Sequence, residues 1–196
     1  MGKKEFTEIV CIIDRSGSMQ AIVNDAIGGF NTFLEDQKKH PGEATLTYIQ
    51  FDTEYELLHE NTPIKDVRPI DMTTYKPRGM TALLDAIGRT IDTVGRRLSN
   101  IPDENRPAKV VVAILTDGEE NSSHEFTLEK VKGMITHQKD TYQWEFIFLA
   151  ANQDAFAEGA KIGIDPKDIQ NFAATGKGVR AAYAHTSASV RSYRTK

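Results

Sequence analysis

The 196-residue sequence contains one cysteine, Cys11, and therefore cannot form an intrachain disulfide. This excludes the small secreted domains that disulfides hold together, and a reducing cytoplasmic compartment is the expected location. Long apolar runs are also missing: runs such as residues 9–13 and 146–151 are far shorter than the roughly 20 residues that cross a bilayer. We therefore expect no membrane-spanning segment.

Targeting signals are also lacking at the beginning of the sequence. The first residues, Met-Gly-Lys-Lys-Glu, contain no apolar signal core. The sixth position holds Phe6 instead of the Ser or Thr of a myristoylation site. We expect neither a cleaved leader nor an N-terminal lipid anchor.

The charge excess is small, because the formal net charge is −4. Such a charge gives no general electrostatic reason to bind nucleic acid or an anionic membrane. The basic residues are unevenly placed, however, since five of them and no acidic residue follow Asp168. We expect a basic helix at about 177–194 that docks on an acidic body; the alternative is an interaction surface, for example for nucleic acid.

Apolar strands alternate with amphipathic helices along the chain. The patterns predict strands at 6–14, 45–52, 109–116, 144–151 and 169–172. They predict helices at 19–39, 82–98, 128–138, 155–162 and 177–194. Residues 55–60 follow a tight turn and should form one antiparallel strand, whereas residues 61–80, with three prolines, predict a long functional loop.

This alternation predicts a three-layer α/β/α, Rossmann-like open sheet that is mostly parallel and has one antiparallel strand. No repeat or linker interrupts the pattern. We expect one domain over residues 1–196, with its core at about 6–172.

Five oxygen-bearing side chains should meet at one edge of this sheet. Three of them follow the first predicted strand, one follows the strand at 109–116, and one directly precedes the helix at 82–98. In that order of position they are Asp14, Ser16 and Ser18, then Asp117, and Thr81. Ligands of open α/β sheets bind at the carboxyl ends of the strands. Oxygen-only ligands select a hard cation, and two carboxylates with neutral hydroxyls suit Mg²⁺, with Mn²⁺ or Ca²⁺ as alternatives. Because hydroxyls donate weakly, the ion should accept a further oxygen from outside.

These residues resemble the metal-ion-dependent adhesion site of the von Willebrand factor A (vWA) domain. The similarity lies in Asp14-Arg15-Ser16-Gly17-Ser18, in Thr81 and in Thr116-Asp117-Gly118, and it spans about residues 6–172. It implies that Ser16, Ser18 and Thr81 hold Mg²⁺, that Asp14 and Asp117 act largely through water, and that a partner's Glu or Asp completes the coordination. The implied function is non-enzymatic protein binding. In size the chain is similar to small stand-alone bacterial members of the tellurium-resistance type.

Two alternatives use the same ion differently. A phosphoester or phosphoryl-transfer enzyme would need a nucleophile or base near the metal, and only Asp14 could serve. Alternatively, the metal only stabilises the loops.

Three neighbouring features have simpler interpretations. Residues 176–181 match a dinucleotide fingerprint, but only 15 residues follow them, so we interpret them as a helix start. Arg15 is expected to be solvated, although contact with an acidic partner is the alternative. Glu119 and Glu120 are expected to form a solvated acidic rim, with a role in supporting the metal ligands as the alternative.

Overall fold

A six-stranded sheet forms the centre of the computed structural model, which describes residues 4–151 and 154–195. Its strands are β1 Lys4–Asp14, β2 Glu43–Phe51, β3 Tyr55–Pro63, β4 Pro107–Thr116, β5 Glu145–Ala150 and β6 Ile169–Asn171. Their order is β3-β2-β1-β4-β5-β6, and every neighbouring pair is parallel except β2 and β3. The predicted fold class, with its single antiparallel strand, is confirmed.

Helices cover both faces of the sheet. They are α1 Val23–Lys39, α2 Leu83–Ser99, α3 Leu128–Tyr142, α4 Ala155–Lys161 and α5 Gly176–Arg194. Successive strand residues point to opposite faces, so Ile9 and Cys11 belong to the apolar cluster with α1 and α5, and Val10 and Ile12 to the cluster with α2 and α3. Burial on both faces explains why the β1 sequence is continuously apolar instead of alternating.

The parallel register brings the ends of three strands to one level. Asp14 at the end of β1 pairs with Phe51 at the end of β2, and Ile13 pairs with Leu115 of β4. The loops that follow β1 and β4 therefore leave the sheet side by side.

The predicted loop at 61–80 is shorter and better anchored than its composition suggests. Strand β3 continues to Pro63, and a 3₁₀ turn over Ile64–Asp66 follows. The side-chain amide of Asn31 in α1 then donates to the Ile70 carbonyl at 2.8 Å and accepts from the Ile70 N–H at 2.9 Å. Because these bonds and the buried Tyr75 hold the segment against α1, it leads to the sheet edge along a defined path.

The basic C-terminal helix docks on the body, as expected. One face of α5 is buried against α1, and Arg180 forms an ion pair with Asp25. Arg194 donates to the carbonyls of Gln37 and Gly42, each at 2.9 Å. The predicted helix start is also confirmed, because Thr175 caps α5 by accepting from the Gly178 N–H.

Some sequence-based expectations concern residues that this description does not cover. Residues 1–3, which entered the leader expectation, and Lys196, one of the five basic tail residues, lie outside the described ranges. Within the described ranges, no helix combines the length and the apolarity that crossing a membrane requires. The single-domain organisation stays a prediction.

Candidate metal centre

Asp14 connects the carboxyl ends of β1 and β4. One carboxylate oxygen, Oδ1, accepts from the Ser16 N–H at 2.6 Å, and the other, Oδ2, accepts from the Thr116 hydroxyl at 2.6 Å. The residue is completely buried, and the Tyr75 hydroxyl donates to its carbonyl at 2.6 Å. These contacts hold the Asp14 carboxylate in one orientation at the sheet edge.

Three hydroxyls from two loops converge on Gly118, which lies in a third loop. Ser18 donates to Asp117 Oδ1 at 2.7 Å, and the hydroxyl oxygens of Ser16 and Ser18 lie 3.1 Å apart. A Cβ atom on Gly118 would lie 2.9 Å from Thr81 Oγ1, 3.7 Å from Ser18 Oγ and 3.8 Å from Ser16 Oγ. The three hydroxyls therefore line one small space, which exists because residue 118 has no side chain. The structure thus brings all five predicted residues together.

The two carboxylates of the centre have no cationic partner among the described residues. Burial raises the pKa of Asp14 to about 6; hydrogen bonds from Thr116 and Ser16 oppose this rise, and the nearby Asp117 charge adds to it. Burial also raises the pKa of Asp117, and the Ser18 hydrogen bond opposes it. Within residues 4–151 and 154–195, neither carboxylate forms an ion pair. A bound cation would relieve this uncompensated charge.

This donor set fits a hard divalent cation. The described residues contain no group of three or more His, Cys, Asp or Glu that could hold a metal, so soft-ligand and carboxylate-cage sites have no basis there. Two carboxylates and three hydroxyls instead match the oxygen preference of Mg²⁺ or Mn²⁺.

A residue that the sequence did not single out, Asn121, joins the Thr81 loop to the loop that contains Asp117. Its side-chain oxygen accepts from the Thr81 N–H at 2.9 Å, and its own N–H donates to the Thr81 carbonyl at 3.1 Å. These two bonds hold the Thr81 loop against the loop that contains Asp117. No sequence pattern signals this role, because the partners are 40 residues apart.

The expected acidic rim is half wrong. Glu119 is exposed, as expected, but Glu120 is half-buried and serves the backbone. Its carboxylate accepts from the Leu84 N–H at 2.8 Å, which caps the start of α2, and from the Ser123 N–H at 2.7 Å. A carboxylate placed beside a helix N-terminus finds unpaired N–H donors, which explains why Glu120 folds inward.

Asp85 on α2 anchors the same loop further along. Its carboxylate accepts from the backbone N–H groups of His124, Glu125 and Phe126, each at 2.9 Å. Burial raises the pKa of Asp85, but these three bonds together outweigh burial and hold the pKa below its ordinary value.

We expect Asp85→Asn to lower the unfolding free energy at neutral pH by about 1–3 kcal/mol, because three N–H donors, of which the Phe126 N–H is buried, lose a charged acceptor. A depressed pKa stabilises the fold above the unfolded-state value and loses this effect as the pH falls through the folded value. The difference from wild type should therefore shrink in acid. Urea denaturation at several pH values measures it, with the exposed Asp92→Asn on the same helix as the control; a pH-independent difference would contradict the prediction.

Arg15 is not solvated, and this expectation was wrong. The side chain is 6% exposed, donates from Nε to Asp52 Oδ2 at 2.9 Å, and forms an ion pair with Glu56. Successive side chains in this extended segment point in opposite directions. Ser16 therefore faces the metal centre, whereas Arg15 points away from it, towards acceptors on Asp52 and Gln50.

Comparisons with known proteins establish the fold. The sequence matches no family model and no curated protein. Its structure is similar to the zinc-occupied form of proximal thread matrix protein 1 from the mussel byssus, with a TM-score of 0.64, 13% identity, and coverage of 94% of this chain and 48% of that one. A von Willebrand factor type A protein of Catenulispora acidiphila gives a TM-score of 0.61 at 15% identity, with 95% and 42% coverage.

The manganese-loaded TRAP protein of Plasmodium vivax is a third similar structure. Its TM-score is 0.62 at 16% identity, over 91% of this chain and 72% of that one. The chain thus has the vWA fold, and it spans about half the length of the mussel and Catenulispora chains.

Proposed function

We propose that this protein is a protein-binding module that depends on a divalent metal, with Mg²⁺ as the physiological ion. The observation that carries the proposal is the convergence of three hydroxyls on the space beside Gly118. Asp117 borders this space through its hydrogen bond from Ser18, and Asp14 is bonded to the Ser16 N–H of the same loop. The named metals of two similar structures, zinc in the metal-ion-dependent adhesion site motif of the mussel protein and manganese in TRAP, support the binding of a divalent metal.

Each proposed ligand has a distinct task. Ser16, Ser18 and Thr81 contribute neutral oxygens, and Asp14 and Asp117 supply the charge that balances a divalent ion. When bound, the ion supplies an electrophilic centre for a carboxylate oxygen from outside the chain. The partner therefore presents a Glu or Asp side chain, whose carboxylate oxygen completes the coordination of the ion.

Protein binding accounts for Asp14 better than phosphoryl transfer does. Both of its oxygens accept hydrogen bonds within the protein, from the Ser16 N–H and from the Thr116 hydroxyl. A nucleophilic carboxylate would need a free oxygen directed at the substrate. These two hydrogen bonds instead hold the Asp14 carboxylate in one orientation, as expected of a residue that supports a bound ion.

An EDTA-controlled capture experiment tests the proposed function. The protein is immobilised and incubated with host extract in Mg²⁺ or in EDTA, and Mg²⁺-dependent proteins are identified and purified. We expect direct binding of a purified partner to require Mg²⁺ and to fail when one acidic residue of that partner is changed to its amide.

Asp117→Ala and Glu119→Ala provide the matched pair of variants. They remove the same charge two residues apart, but only Asp117 faces the centre, since Glu119 is exposed to solvent. Binding lost in the first variant and kept in the second agrees with the proposal. Binding that persists in EDTA, or that no acidic residue of the partner affects, would refute it.

We also propose a cytoplasmic location and a bacterial origin of the tellurium-resistance type. Support for the location comes from the single cysteine, which is buried in β1 with 2% exposure. Burial raises the pKa of the Cys11 thiol to about 12, so it is an inert core residue and not a site of oxidation.

A further inference from the structure

Arg15 connects the Ser16–Ser18 loop to the β2–β3 hairpin. It lies between two proposed ligands, yet its side chain points into the protein and is only 6% exposed. Nε donates to Asp52 Oδ2 at 2.9 Å, one terminal nitrogen donates to Gln50 Oε1 at 3.3 Å, and the same nitrogen forms an ion pair with Glu56. A buried guanidinium with these acceptors has a single favourable orientation.

Asp52 connects Arg15 to the Thr81 loop. The carboxylate oxygen that accepts from Arg15 also accepts from Arg78 Nε at 3.0 Å. Arg78 directly precedes the turn that leads to Thr81, and its guanidinium also pairs with Glu54. The Asp52 side chain is 2% exposed, so water competes little for these two bonds.

Backbone bonds between the two loops run parallel to these side-chain contacts. The Arg78 N–H donates to the Arg15 carbonyl at 2.8 Å, and the Gly17 N–H donates to the Gly79 carbonyl at 3.1 Å. Gly79 has φ +66°, and a Cβ there would lie 2.8 Å from Thr53 Oγ1, so only glycine lets the turn approach the hairpin closely.

We propose that Asp52 is a positioning residue that holds the Ser16–Ser18 loop and the Thr81 loop at ligand spacing before the ion arrives. One buried Asp52 carboxylate oxygen accepts from two guanidinium groups, one from each loop, and the Asp52 backbone carbonyl also accepts from the Ala82 N–H at 3.1 Å. Because the loops are ordered in advance, binding the ion costs less conformational entropy. This inference rests on the proposed function for the identity of the ion, whereas the ordering of the loops can be measured without metal.

The test compares Asp52→Asn with Glu54→Gln. Both remove one negative charge from the same ionic cluster, but only Asp52 bridges the two loops, since Glu54 contacts Arg78 alone among the two arginines. In metal-free protein we expect the amides of Gly17 and Arg78 to exchange hydrogen several-fold faster in Asp52→Asn than in wild type. Mn²⁺ affinity, measured by electron paramagnetic resonance, should fall by roughly 10- to 100-fold, as for other residues that orient ligands. Glu54→Gln should change neither quantity.

Equal weakening of Mn²⁺ binding in both variants would mean that charge alone acts, and it would overturn the positioning role. Wild-type protein that binds no Mn²⁺ would refute the proposed function, and the exchange measurement would then still test the positioning role of Asp52. Unchanged amide exchange at Gly17 and Arg78 in Asp52→Asn would overturn that role. If Asp52→Asn does not fold, Arg78→Ala replaces it, because Arg78 is 55% exposed and its loss leaves the Arg15–Asp52 pair intact. In Arg78→Ala, amide exchange in the two loops should also become faster and Mn²⁺ affinity should also fall. Amide exchange in β4 should stay as in wild type, which would show that the variant is folded.

Discussion

Asp117→Ala is expected to abolish Mg²⁺ binding while the protein stays folded. The substitution removes one of two carboxylates, so the remaining charge no longer balances a divalent ion, and Ser18 loses the acceptor of its 2.7 Å hydrogen bond. The loss should exceed the roughly 10- to 100-fold typical of residues that only support ligands. Burial raises the pKa of Asp117, so its ionised carboxylate does not itself stabilise the fold, and we expect little change in unfolding free energy.

Calorimetric titration with Mg²⁺ measures the affinity, and urea denaturation measures the stability. Glu119→Ala is the control, because it removes the same charge from an exposed side chain in the same loop. Asp14→Ala should also lose binding, although the Ser16 N–H loses its acceptor and the Thr116 hydroxyl keeps only the Gly118 carbonyl, at a cost of about 1–3 kcal/mol. Unchanged Mg²⁺ affinity in both aspartate variants would reject the assignment of the site.

Gly118→Ala should weaken Mg²⁺ binding without changing the charge of the centre. The new methyl group would lie 2.9 Å from Thr81 Oγ1, closer than such atoms approach in proteins, and Thr81 is buried, so its hydroxyl must move. It would also contact the hydroxyls of Ser16 and Ser18 at 3.8 and 3.7 Å, within the space that an ion would need. We expect a loss of affinity of at least about tenfold, by analogy with other changes that misplace ligands.

Gly133→Ala is the matched control for this substitution. Gly133 lies in α3, and no atom lies within 4 Å of its added Cβ. It should leave Mg²⁺ affinity unchanged and raise the unfolding free energy by up to about 1 kcal/mol, because alanine favours the helix. Equal Mg²⁺ affinity in the two alanine variants would show that the space above Gly118 is not where the ion binds.

Much of the fold could be predicted because its signals are local. Residues 9–13 and 110–115 are apolar without alternation, which is typical of strands buried on both faces. The antiparallel strand could be predicted from the turn before Tyr55. The helix ends and the end of β3 differ by a few residues between the sequence prediction and the structure. For β3 the reason is backbone pairing with β2, which extends the strand to Pro63 whatever its composition.

The grouping of the five proposed ligands could also be anticipated from the sequence. Each follows a strand end or precedes a helix, and parallel strands bring such positions to one edge. Their contacts with supporting groups could not be anticipated. Asn121 is paired with Thr81, and Arg15 with Asp52, across 40 and 37 residues, and no local pattern encodes such a choice.

The sequence by itself determined the order of strands and helices, the mostly parallel sheet and the residue types available at its carboxyl edge. These features follow from hydrophobic periodicity and turn residues, which act over a few positions along the chain. Only the tertiary structure decided that Arg15 is buried, that Glu120 caps α2 and that Gly118 forms the floor of the centre. Those outcomes depend on which unpaired donors and acceptors the packed loops bring within hydrogen-bonding distance of one another.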